Sequence, residues 1–373
     1  SEKHCLLLLL LLFIFFSMAV TSLLDTIFRR RKKKSTEFIS TSFITIFEFD
    51  FDTIRAATHE FSDRIGHGGY SSVYKGKLQS GQDIAVKIFI SATRQRVFFR
   101  NEVEVLSKLK HKNLINLLGF CSKRDQHFLV YEFMPNSSLD RFIFDPYRAS
   151  QLSWERSRNI IEGIARGLRY LQEESGLCVV HLNITPTNIF LDSDLKLKIT
   201  GFGLARLMRD GENEAESTNL SGTIGYIDPK YHQTYSVKSD VYSFGVTILT
   251  IITRRRDYDS LEEPLIYHVR GCWNRGEAID VIAQVMREEE REDSIREILR
   301  YIHIALLCID DNPETRPSLD KVLHWFSCFS TPLPELAIGN QFLVEEETNQ
   351  SLSPSLSPGH SSVMSPMSSR YGD

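Results

Sequence analysis

The stretch that decides the fold is HLNITPTNIFLD, His181 to Asp192, with KITGFGLAR, Lys198 to Arg206, close behind it. Leu195, Leu197, Ile199 and Phe202 alternate as a strand does, so the apolar frame of this region is intact. The polar positions between His181 and Asp192 are neutral. Asn183 follows two residues after the histidine, and its amide, though close in shape to a carboxylate, carries no charge and does not usefully accept a proton at neutral pH. Upstream, strand signals flank a turn with Gly66, Gly68 and Gly69, and Val73, Tyr74, Lys75 and Gly76 follow. Such a turn lets backbone amides approach phosphate closely, because no Cβ intervenes. Alone it reads equally well as a plain hairpin. The next segment, DIAVKIF from Asp83 to Phe89, reads as a strand carrying Lys87. FFRNEVEVLSKL then has helical spacing in Val103, Leu106 and Leu109 and presents Glu102. A solvated strand lysine and a surface helix glutamate are the bland alternative.

Taken together, and with HFLVYEFMPNSSLD (His127 to Asp140) and GTIGYIDPKYHQTYSVKSDVYSFGV (Gly222 to Val246), these motifs resemble the protein-kinase family from about Phe49 to about Phe329. They are most similar to the receptor-like kinases of plants, in the cysteine-rich branch. The resemblance implies an α+β, bilobal protein-kinase-like fold with a small β-rich N-lobe (61–131), a hinge (132–134) and a large helical C-lobe (135–329). It also implies a nucleotide site. Gly66 and Gly68 would cover the phosphates, with Ser71 in place of the third family glycine. Lys87 would hold the α and β phosphates and pair with Glu102. Tyr131 would be the gatekeeper, the backbone of Glu132 and Met134 would bond the adenine edge, and Val73, Ala85 and Phe190 would enclose the ring.

The same comparison implies that chemistry has been lost. Asn183 stands where the catalytic base belongs, Thr185 replaces the phosphate-neutralising lysine, and Leu182 replaces an arginine that in many kinases reads a phosphorylated activation segment. Asn188 is kept as a metal ligand, while Gly201 replaces the aspartate of the Asp-Phe-Gly triplet. A neutral amide is a poor sole ligand for Mg²⁺, which prefers carboxylate and water oxygens. The expectation is a pseudokinase that takes ATP with Mg²⁺ weak or absent and is inactive or severely impaired. The alternative, kept open by Lys87, Glu102 and Asn188, is a weakly active serine/threonine kinase. Structural roles implied for the C-lobe are Asp240 capping the catalytic-loop backbone and Leu106, His181 and Phe202 stacking between the lobes. Lys230 stands where a glutamate would pair with Arg316, so that ion pair cannot form and the segment is expected to be looser or locally rearranged. Ser217, Thr218 and Thr223 are exposed-loop hydroxyls open to another kinase.

Outside this region, Cys5 to Leu24 is almost wholly apolar and is followed by RRRKKK, Arg29 to Lys34. About 20 apolar residues suffice to cross a bilayer, and cations directly after them mark the cytoplasmic side. The expectation is a transmembrane helix at 5–28, a basic juxtamembrane segment at 29–50 and a cytoplasmic kinase-like domain (61–329) at the plasma membrane. A cleaved signal peptide ending near Thr21 is the competing reading. Starting at Ser1, the chain is open to being a piece of a longer protein. Residues 330–373 are expected to form a flexible Ser/Pro-rich tail, with Ser-Pro pairs at Ser353, Ser357 and Ser365. Ser153 reads as the cap of a helix whose Ile160, Ile164, Leu168 and Leu171 face the core, and Arg254 to Arg256 as a solvated helix end. A net charge of -4 gives no reason to expect nucleic acid as a partner. The expected partners are the membrane and other receptor-like or cytoplasmic protein kinases and their substrates. The six cysteines lack metal or disulfide spacing and are expected to be reduced.

Overall fold

The structure, a computed structural model, describes residues 46–68, 71–90, 93–209, 211–212, 214–216, 221–232, 234–256, 263–289 and 291–336. The expected membrane span, the basic run, Ser217, Thr218 and the three Ser-Pro sites lie outside the described residues. No helix among the described residues is long and apolar enough to cross a membrane.

The N-lobe is a six-stranded sheet of β1 (Phe47–Glu48), β2 (Arg64–Gly68), β3 (Ser71–Lys77), β4 (Asp83–Ile90), β5 (Leu117–Lys123) and β6 (Gln126–Glu132), in the order β1-β5-β6-β4-β3-β2. Side chains alternate between the faces of a strand. Ile84 and Val86 therefore point outward, into a small core with Cys121, Phe128 and Val130. Residues 49–61 close that core. Helix α1 (Phe51–Ala57) starts at Asp50, whose carboxylate accepts the Thr53 N–H at 2.8 Å, and it buries Ile54 completely. Three successive left-handed residues, His59, Glu60 and Phe61, then swing the Phe61 ring back over Phe128 at 5.9 Å. The ordered fold thus extends N-terminally of 61. β1 runs parallel to β5 and can lie this close only because residue 119 is glycine: a Cβ there would stand 2.3 Å from the Phe47 carbonyl oxygen.

Helix α2 (Thr93–Leu106) packs on the other face and buries Phe99 and Leu106. In the C-lobe, two short helices, α3 (Asp140–Ile143) and α4 (Pro146–Ala149), lead into α5 (Trp154–Arg169). Ser153 caps α5 by accepting the Arg156 N–H at 3.4 Å, and Ile160, Ile164 and Leu168 are buried along it, as their spacing predicts. The lobe is built around α6 (Val237–Thr253), which is buried on every side from Ser239 to Thr253, the Ser243, Thr247 and Thr250 hydroxyls donating to backbone carbonyls one turn back. Helices α7 (Leu265–Asn274), α8 (Gln284–Glu289), α9 (Glu292–Cys308) and α10 (Leu319–Ser327) complete it. Trp154 Nε1 donates to Glu297 at 2.7 Å and Tyr301 Oη to Glu162 at 3.1 Å, tying α5 to α9. The five described cysteines are free thiols.

The structure corrects three expectations. Leu195 is not in a strand: beyond the short strand β7 (Val179–Val180), it sits at φ 59° in the turn before β9 (Leu197–Ile199), because β8 (Ile189–Leu191) and β9 form a hairpin that needs a reversal at that point. Arg254 is not a solvated helix end. It occupies a left-handed C-cap, and its guanidinium turns inward to donate to the Leu152 carbonyl at 3.1 Å and Ser157 Oγ at 3.2 Å; burial lowers its pKa to about 10. Residues 330–336 are fastened to α9: Arg300 donates to the Thr331 carbonyl at 2.8 Å, and His303 Nε2 to that of Pro334 at 2.9 Å.

Candidate active site

Strand register assembles the upper half of the site. Val73 on β3 pairs with Lys87 on β4, Ala85 pairs with Tyr131 on β6, and Gly66 on β2 pairs with Val73. Paired residues and residues two apart share a face, so Gly66, Val73, Ala85, Lys87 and Tyr131 line one surface of the sheet. Gly68 sits opposite Ser71 at the turn. The helix α2 brings Glu102 to this surface, where its carboxylate is 1% exposed. Lys87 Nζ lies 2.8 Å from one carboxylate oxygen and Tyr131 Oη donates to the other at 2.5 Å. Burial first, and then the adjacent Glu102 charge, push the Tyr131 phenol well above its ordinary pKa. The hydroxyl is therefore a fixed donor.

Glu132, expected to act through its backbone, also uses its side chain. Its side chain accepts the Asn116 N–H at 2.9 Å and meets Lys198 on β9 at 3.0 Å, tying the hinge to the C-lobe. Phe190 on β8 and a buried Met134 lie on the C-lobe side and at the hinge. Lys198 and Asn116 were missed from sequence, since their role arises only from the fold.

The loop below is held from behind. The backbone N–H groups of His181 and Leu182 each donate to the Asp240 carboxylate at 2.7 Å. Burial raises Asp240 to about 7, while those two donors pull the other way. His181 is lowered to about 4 by burial and is neutral. Its tautomer follows from its contacts: Nε2 donates to the Thr200 carbonyl at 2.9 Å, and Nδ1 accepts the Asn183 N–H at 3.2 Å. The ring meets Phe202 edge-on at 4.6 Å, so two members of the expected column touch. Leu182 is buried. It joins Val180, Met208 and Tyr231 in a separate apolar cluster under the activation segment.

At the chemical centre, Asn183 Oδ1 accepts the Thr223 hydroxyl at 2.9 Å, so Thr223 is engaged rather than a free loop hydroxyl. Thr185 is fully buried and shares a hydrogen bond with Thr187 at 2.7 Å. Asn188 Nδ2 donates to the Asn183 carbonyl at 2.9 Å. Gly201 lies beside it and offers no donor atom from a side chain. The two positions the kinase template uses for metal thus supply one neutral carboxamide oxygen and no carboxylate, a donor set poor in the oxygens Mg²⁺ prefers. Apolar Val73 and Ala85, a polar hinge and Lys87 do fit a purine nucleotide.

Of the two outcomes expected at Arg316, a looser segment or a local rearrangement, the structure shows the rearrangement. Lys230 is no partner for it, but Asp228 is: its carboxylate accepts Arg316 Nη1 at 2.6 Å and Nη2 at 3.0 Å, with side-chain exposures of 0% and 2% for the arginine and the aspartate. The acid has moved two positions along the chain, and the anchor is retained.

A β-sheet lobe and a helical lobe joined by a hinge, with a lysine and glutamate pair above and an asparagine-bearing loop below, define a protein kinase fold. Comparison with known proteins agrees. The profile of the family described as protein tyrosine and serine/threonine kinase matches residues 59–326. The chain is 70% identical to cysteine-rich receptor-like protein kinase 45 of Arabidopsis thaliana over 334 residues, covering 89% of this chain and 95% of that one. It is 44% identical to cysteine-rich receptor-like protein kinase 38 over 297 residues, and 41% identical to number 25 over 296, both of Arabidopsis thaliana. These matches cover 78% and 77% of this chain, but 45% and 43% of the relatives. The chain belongs to the protein kinase family, among receptor-like kinases of the cysteine-rich type. Kinase domains of this family in general bind ATP with Mg²⁺ and act on protein partners.

Proposed function

We propose that this chain is a membrane-anchored receptor-like pseudokinase, a non-catalytic scaffold or regulator of partner kinases whose cleft takes ATP with Mg²⁺ weak or absent. The observation that carries this reading is the neutral pair at the chemical centre, Asn183 and Gly201, with Asn183 Oδ1 already engaged by Thr223. Loss of a general base removes about 10²- to 10⁴-fold. Loss of the metal removes the electrostatic stabilisation on which phosphoryl transfer depends, and the two effects do not simply multiply. Replacing two carboxylates by neutral groups also makes the cleft less hostile to a bare triphosphate, so nucleotide no longer needs a cation between itself and the protein. The organisation that goes with this reading is an apolar anchor at 5–28 in the plasma membrane, a basic segment at 29–50, a cytoplasmic kinase-like domain at 61–329 and a tail from 330.

One observation favours a second reading, a weakly active serine/threonine kinase: the Lys87 and Glu102 pair is formed at 2.8 Å, as phosphate positioning requires. Thermal denaturation with ATP, with and without Mg²⁺, separates the two. A shift of equal size in both conditions supports the pseudokinase; a shift seen only with Mg²⁺ supports the kinase.

A further inference from the structure

Gly201 lies at φ 83° and ψ 36°, a left-handed conformation that glycine adopts readily and aspartate or asparagine occasionally. A Cβ built there would stand 2.5 Å from Asn188 Oδ1, 2.6 Å from its Cγ and 3.0 Å from its Nδ2. All three distances are far inside the ~3.5–4.0 Å of ordinary non-bonded contact. The Asn188 carboxamide therefore fills the room that any side chain at 201 would need. It is also tied in place. The carboxamide is held by Nδ2 donating to the Asn183 carbonyl at 2.9 Å, and the backbone that carries it is fixed by the Asn188 N–H donating to the Thr185 carbonyl at 3.0 Å and the Asn188 main-chain carbonyl accepting Thr200 N–H at 2.8 Å and Thr200 Oγ1 at 3.1 Å.

We propose that Asn188 is a packing brace in this protein rather than a residual metal ligand, occupying the space of the missing side chain and closing the cleft against a divalent ion. This rests on the reading of the cleft as non-catalytic and sharpens it: the ligand is an adenine nucleotide without metal. In a metal-using cleft, truncating this asparagine removes a ligand and leaves the fold alone. Here it loosens the fold and leaves nucleotide affinity alone.

The test is a double-mutant cycle in the full chain, with Gly201→Ala and Asn188→Ala read by urea unfolding in the absence of nucleotide. The left-handed strain of alanine at 201 is common to both backgrounds and cancels. Gly201→Ala should raise the unfolding constant by a factor roughly ten times larger with Asn188 in place than in the Asn188→Ala background, a coupling of about 1.4 kcal/mol. If Gly201→Ala does not fold, rescue of folding by the added Asn188→Ala is the same result. Asn188→Ala should also keep the full ATP-induced thermal shift, with and without Mg²⁺. Equal responses in the two backgrounds, no rescue, or a Mg²⁺-dependent shift that disappears in Asn188→Ala would each overturn the brace. The unfolding cycle involves neither nucleotide nor phosphoryl transfer, so it can fail while the functional reading stands; that reading is decided separately, by the thermal shift of the unmodified protein with and without Mg²⁺ and by its labelling activity.

Discussion

Replacing Asp228 by alanine tests how the activation segment is anchored. Arg316 keeps two carbonyl partners in that variant, Asp310 O at 2.8 Å and Lys238 O at 3.1 Å, and its guanidinium still lies 5.0 Å from the centre of the Tyr242 ring. What it loses is its carboxylate counter-charge, at a site where its side chain is 0% exposed. Removing one partner of a buried pair costs about 3–5 kcal/mol, because the remaining charge stays desolvated. For a domain of this size each kcal/mol moves the melting temperature by about 2–4 °C, so a fall on the order of 10 °C is expected. Lys230 is exposed, and Lys230→Ala should stay within about 0.5 kcal/mol. Thermal and urea unfolding of the two variants decide the matter. A loss below about 1 kcal/mol in Asp228→Ala would refute the shifted anchor.

Three further outcomes follow from the geometry. Ile54→Ala removes a fully buried side chain from the outer core of the sheet and should lower stability by about 2–5 kcal/mol in urea unfolding; an effect below about 1 kcal/mol would mean that residues 46–61 are dispensable to the N-lobe. Lys87→Met should abolish the ATP-induced thermal shift and lower stability by about 1–3 kcal/mol, since Glu102 loses its ion-pair partner while buried; an unchanged shift would place the phosphates elsewhere. His181, lowered from 6.5 to about 4, should remain neutral in an NMR titration down to pH 5. Because the unfolded chain takes up that proton first, the stability owed to His181, about 3 kcal/mol, is complete above pH 6.5 and is lost as the pH falls toward 4; a midpoint near 6.5 contradicts this.

The lobes and the helix pairing were legible in the sequence because they rest on local signals. Lys87 and Glu102 are announced by a strand pattern and a helical pattern at fixed spacing, and the fold brings them to 2.8 Å. Asp240 reached its predicted place, since its role depends on a helix cap and a loop that both carry strong motifs. The errors arose where a partner is chosen in three dimensions. Asp228 and Lys230 are two residues apart, and only the path of the segment decides which faces Arg316. Leu195 failed because periodicity continues through a tight turn without marking it. The embedding of Arg254 depends on α5, about a hundred residues away in the chain. Residues 46–61 carried their own signal, in Asp50 as a cap and in Phe51, Ile54 and Phe61 as apolar positions. No sequence pattern, however, says that these cover the back of a sheet.

The most direct measurement is incubation of the unmodified protein with radiolabelled ATP, Mg²⁺ and a generic protein substrate, beside an active relative treated identically. With Asn183 and Gly201 at the centre of the site, no incorporation above background into itself or the substrate is expected, while the relative labels readily. Sustained, contaminant-free labelling of serine or threonine by this chain would contradict the account.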